Sequence, residues 1–91
     1  MDMIMDDQTV EYFSISLIRA IIPDGAPIIF IYQNPDDYPE KFVARLYNGK
    51  QSTHIVAFAD TLEELRTAKP DCMDVIERQK DDPPKVIETW L

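Results

Sequence analysis

The chain is short of the residues that most often carry chemistry. Its 91 residues include one cysteine, one histidine, one tryptophan and two glycines. A single thiol, Cys72, excludes an internal disulfide and a thiolate cage for a metal. With no secretory signal in view, a lone cysteine is expected as a small apolar filler. Gly25 and Gly49 both stand in turn sequences, so no glycine-rich loop is left to cradle phosphates. His54 can supply an imidazole general base once or not at all. Ser52 and Thr53 adjoin it, but strand neighbours point to opposite faces, and Ser52 shares its face at a distance of about 7 Å. No nucleophile, base and orienting group converge, and His54 is expected to be a structural or surface histidine.

Basic residues are also scarce. Nine Lys and Arg against seventeen Asp and Glu give a net charge of −8. That balance argues against binding nucleic-acid phosphates or anionic lipid directly, permits a basic protein partner, and keeps a small domain in solution. Tyr32, Phe42, Tyr47 and Phe58 could stack on bases, but only Arg45 and Lys50 lie near them, which is too little charge for a polyanion. Long apolar runs are missing too. Phe13–Ile22 and Pro27–Tyr32 are too short to span a bilayer. The opening "MDMIMDD" has no basic n-region, so the expected location is the cytoplasm.

Carboxylates are plentiful, at Asp6-Asp7, Asp36-Asp37, Glu63-Glu64 and Asp81-Asp82. In "NPDDYPE", Asn34, Asp36 and Glu40 faintly suggest a calcium loop, but the prolines and the missing central glycine break its pattern. Doublets beside turns are expected to solvate loops and accept turn N–H bonds. Neither a metal nor a cofactor is expected.

Seven prolines punctuate the chain, at Ile22–Pro27, Asn34–Glu40, Lys69–Asp71 and Asp81–Pro84. Between them, "KFVARLYNGKQSTHIVAFA" reads as a hairpin. A type I′ loop at Asn48-Gly49 would set Tyr47 opposite Lys50, Phe42 opposite Ile55 and Val43 opposite His54. Alternation puts Phe42, Ala44, Leu46, Ile55, Ala57 and Ala59 on a helix-covered face, and Val43, Arg45, Tyr47, His54, Val56 and Phe58 on a half-exposed one. "DTLEELRTAKP" follows as a helix over about 61–69, with a Thr61–Glu64 capping box and Pro70 as its stop. "PIIFIYQ" reads as a central strand covered on both faces.

"TVEYFSISLIRAII" fits either period. A helical wheel gathers Val10, Phe13, Leu17, Ala20 and Ile21; alternation over Tyr12–Ile18 favours a strand closed by "IPDGAP" as a second hairpin, and the reading leans to the strand. "CMDVIERQK" is open between strand and helix. The tail "KDDPPKVIETWL" ends in Thr-x-Leu, as do peptides that add a strand to PDZ domains. Its alternation and its tryptophan nonetheless favour a closing strand that ends at Leu91.

The expected fold is one α+β domain over residues 1–91, with residues 1–7 fraying. An antiparallel sheet of about four strands carries one short helix, with room for a second near the N-terminus. The expected function is that of a non-enzymatic interaction module, regulator or accessory subunit. Its contacts would come from Asp36, Asp37, Arg45, Tyr47 and His54, through an acidic surface or a sheet edge. Two alternatives stand beside it: a small enzyme or catalytic-subunit fragment centred on His54, and a structural homo-oligomer built by edge pairing.

Overall fold

The computed structural model describes residues 7–91, and the expectation for residues 1–6 lies outside them. In chain order the elements are β1 (Gln8–Thr9), α1 (Ile15–Ile21), β2 (Pro27–Gln33), β3 (Phe42–Asn48), β4 (Gln51–Ala59), α2 (Leu62–Arg66), β5 (Val75–Glu77) and β6 (Val86–Trp90). The strands form one six-stranded sheet in the order β1-β4-β3-β2-β6-β5. Every pairing is antiparallel except β1 on β4, which is parallel. Four antiparallel strands therefore become a mixed six, and the two additions, β1 and β5, are short edge strands.

The β3–β4 hairpin is real, but its register differs from the expected one. Asn48 pairs with Gln51, so the loop is Gly49-Lys50. Gly49 has φ +61°, while Asn48 and Lys50 do not have positive φ, the pattern of a II′ turn. Asn48 serves instead through its side chain, whose Oδ1 accepts from the Ala26 amide at 3.1 Å. The Gly49 amide donates to the Ala26 carbonyl at 2.8 Å, so the turn before β2 is knitted to this one. Further along, Leu46 alone faces Thr53–Ile55, between the pairs Tyr47–Ser52 and Arg45–Val56. The Thr53 hydroxyl fills that bulge, donating to the Leu46 carbonyl at 2.7 Å and accepting from the Ile55 amide at 3.2 Å. Phe42 thus meets Ala59 and Val43 meets Phe58. Both displacements are even, so parity survives. Ala44, Leu46, Ile55 and Ala57 point into the core, as alternation required.

Both helices pack on that face. α1 overturns the strand reading of residues 9–22. Ser14 caps it, its hydroxyl accepting from the Leu17 amide at 3.1 Å. Phe13, Ile18 and Ile22 are buried, whereas Ala20 and Ile21 are exposed. The helix therefore presents a stripe rotated from the expected one. α2 keeps its Thr61 cap, with the hydroxyl accepting from the Glu64 amide at 3.1 Å. Past Arg66 the chain tightens into i→i−3 bonds through Lys69, and regular α-helix covers only part of 61–69.

The tail is a strand. Trp90 has no exposed surface, Phe13 meets it edge-on at 6.4 Å, and Leu91 exchanges backbone bonds with Asp74. A bulge near Ile87 sets Val86 opposite Tyr32 and Glu88 opposite Ile31, so Val86 leaves the face that holds Glu88 and Trp90. Within residues 72–79, only Val75–Glu77 form a strand, the edge strand β5. Cys72 is exposed in the turn before it, and the neighbouring Met73 takes the core place expected of a filler.

Candidate interaction surface

Among the described residues, the sheet has helices on one face only. The other is built by the alternate residues Ile28, Phe30 and Tyr32 of β2, Val43, Arg45 and Tyr47 of β3, and His54, Val56 and Phe58 of β4. Half of it is closed over. The loop from Asn34 to Lys41 folds back, the Asn34 amide donating to the Lys41 carbonyl at 2.9 Å, with positive φ at Asn34 and Glu40. It brings Tyr38 onto Phe58, with ring centroids 5.1 Å apart, and beside them Val43 and Val56 are buried without any help from a helix.

The other half is open. Ile28, Phe30, Tyr32 and Tyr47 are each only partly buried. They line a groove of about 650 Å³ along β2, from Gly49-Lys50 at one end to Pro83 at the other. Ile28 to Tyr32 spans about 13 Å of strand. The Phe30 and Tyr47 rings meet edge-on at 4.8 Å. The Tyr32 and Tyr47 hydroxyls bond each other at 2.6 Å. Burial, and then the bond to Tyr47, pushes the Tyr32 phenol well above its ordinary range, so it stays protonated. The expectation that β2 is covered on both faces is therefore corrected: Ile29 and Ile31 are sealed, and Ile28 and Phe30 are not.

A smaller hollow of about 180 Å³ adjoins the groove and shares Tyr32 and Tyr47 with it; Pro35, Asp37, Val43 and Arg45 complete its lining. Arg45 is the hub here. Its guanidinium holds the Asp7 carboxylate with two bonds of 2.9 Å, donates to the Thr53 carbonyl at 2.9 Å, and reaches Asp37 at 3.3 Å. The Tyr38 hydroxyl donates to Asp7 at 2.6 Å. The bonds from Arg45 draw the Asp7 carboxyl down to about 2 against the opposing effect of burial, and Tyr38 helps. In return the Asp7 bond, with burial, pushes the Tyr38 phenol up to about 12, and Asp7 raises the Arg45 guanidinium. Asp7, which belongs to the segment expected to fray, is held here by Arg45 and Tyr38.

Of the residues singled out from the sequence, Arg45, Tyr47 and His54 share this face as expected, and Asp37 joins them through Arg45. Asp36 stands apart: it is fully exposed and paired to Lys85 at 2.9 Å. Lys85, beside it, lowers its carboxyl. His54 has a half-exposed side chain, with Nδ1 3.9 Å from Asp7 Oδ1. Ser52 is exposed and lies across the strand pair from Tyr47. Ile28, Phe30, Asp7 and Tyr38 were missed. The period-2 set Ile28, Phe30 and Tyr32 was a signal for the groove. Asp7 and Tyr38 are 31 residues apart and gave none.

Among the described residues, no group of three or more His, Cys, Asp or Glu side chains is placed to hold a metal ion. Nor is any helix among them long and apolar enough to cross a membrane. Comparison of the chain with protein-family models, with curated proteins and with solved structures finds no match.

Proposed function

We propose that the protein is a non-enzymatic interaction module that docks a protein partner on the helix-free face of its sheet. One observation carries this reading: an aromatic and aliphatic groove, Ile28, Phe30, Tyr32 and Tyr47, lies open on a chain this small. The hydroxyls at its wall bond each other, so the groove offers apolar contact and shape, with Lys50 as its one lining charge. Binding energy would concentrate on the aromatic anchors. The −8 charge favours a basic partner, and acts more on the rate of encounter than on the lifetime of the complex.

The test uses Phe30→Glu, which places a charge in the groove without touching the core face. Partner capture is expected to fall at least 100-fold, with the thermal melt shifted by only a few degrees. Added salt is expected to slow association and leave dissociation nearly unchanged. Equal capture by Phe30→Glu and the parent chain would sink the proposal.

A further inference from the structure

The N-terminal strand is attached to the molecule in an unusual way. β1 is two residues long and both are exposed. Among the described residues it pairs with Ile55 and Val56, and one further bond, from the Val10 amide to the Val56 carbonyl at 2.8 Å, extends the ladder. Val10 is only partly buried against the core. Hydrophobic burial and strand pairing therefore hold this segment weakly. The strong attachment is the Asp7 carboxylate, clasped by both Arg45 nitrogens and the Tyr38 hydroxyl, with the Asp7 and Arg45 side chains 16% and 14% exposed.

Six residues after Asp7 the chain is pinned independently. Phe13 has no exposed surface, and its amide donates to the Ala68 carbonyl at 3.0 Å. Between clasp and pin lie Glu11 and Tyr12, both exposed and outside any helix or strand. A segment with one polar clasp, little apolar burial and a free stretch before a firm anchor has the makings of a locally opening unit.

We propose that Asp7–Val10 is a strap that opens by itself while β2 to β6 and both helices stay folded, and that the Asp7–Arg45 clasp sets how often it opens. Opening uncovers two groups together. The Arg45 guanidinium loses its bidentate carboxylate at the border of the smaller hollow, and the Val56 carbonyl on the outer edge of β4 loses its donor. An extended partner segment carrying a carboxylate could satisfy both, by the same bonds the strap makes. The strap thus acts as an internal competitor for the β4 edge. This inference is separate from the groove on β2 and stands or falls apart from it.

Native-state hydrogen exchange on the full chain tests it. The Val10 amide is expected to exchange at least 100-fold faster than the slowest amides of β2 and β3. Asp7→Asn is expected to accelerate Val10 a further 10- to 100-fold, roughly the effect of losing a charge-assisted bond. The slowest β2 and β3 amides, which open only with the whole fold, should accelerate by no more than the variant's loss of unfolding free energy. Urea should speed their exchange steeply while leaving that of Val10 nearly level. Tyr38→Phe, which removes one of the three bonds, is expected to give the same pattern at smaller amplitude. Exchange of Val10 at the core rate in the parent chain would overturn the proposal. So would exchange of Val10 that rises with urea as steeply as that of the β2 and β3 amides, because the strap would then be an inseparable part of the fold.

Discussion

Asn48 illustrates how one side chain can serve a turn from outside its central positions. Asn-Gly signals a I′ loop because both residues tolerate positive φ, yet only Gly49 uses that freedom here. Asn48 instead caps the Ala26 amide, and Gly25 sits so close that a Cβ there would collide with the Asn48 amide group and with Ile22 Cγ2. Gly25→Ala is therefore expected to displace Asn48 and lose its bond to Ala26, costing about 1–2 kcal/mol. Urea unfolding would show it. Gly25→Ala in an Asn48→Ala background should cost less, since the collision with Asn48 is gone and only the one with Ile22 Cγ2 remains. Full additivity of the two changes would refute the coupling.

At the scale of elements, α2 is too short to hold itself, and its attachment to the sheet is ionic as well as apolar. Leu65 is buried, and Arg66 grips the Glu88 carboxylate of β6 with bonds of 2.5 and 3.1 Å. Glu88 is 4% exposed and also accepts from Trp90 Nε1 at 2.8 Å. Burial works to raise its carboxyl, but the bonds from Arg66 and Trp90 outweigh it and leave the group below its ordinary range. Arg66→Ala strands that carboxylate, and is expected to cost about 2 kcal/mol by chemical denaturation, allowing for the half-exposed arginine. In a Glu88→Gln background the same change should cost less than half as much. The elements also show what a sequence conveys. α2 announces itself through its cap and its stop, and the faces of β3 and β4 follow from alternation. α1 was obscured because Phe13, Ile15 and Leu17 satisfy both periods; what decides for the helix is the Ser14 cap together with burial of Ile18 and Ile22. The hairpin register depends on Thr53 filling a bulge, a tertiary accommodation with no local signature. β1 has too few residues for any periodicity to exist. The clasp joining Asp7, Tyr38 and Arg45 is set by chain topology alone.

For the whole molecule, three carboxyls among the described residues are depressed. Asp36 is fully exposed, while Asp7 and Glu88 are held by arginines toward opposite ends of the chain and on opposite faces of the sheet. Asp7 falls from 3.8 to about 2, and Glu88 lies below 4.5. A group whose folded pKa is lowered contributes stability that is present above its ordinary value and disappears as pH falls through the folded one. Stability is therefore expected to be level above about pH 5 and to decline below it. Asp7, discounted for solvent screening, accounts for roughly 1–2 kcal/mol of that decline. Unfolding free energies measured across pH 2–7 check this, and a profile for Asp7→Asn as steep as that of the parent near pH 2–4 would refute the Asp7 share. The sealed indole supplies a means of telling the two faces apart. Trp90 is the only tryptophan, with no exposed surface and its N–H fixed on Glu88. Its fluorescence thus reports the helix-covered side: a red shift marks departure of α2 from β6, while loss of the Asp7 clasp on the far face leaves the emission unchanged.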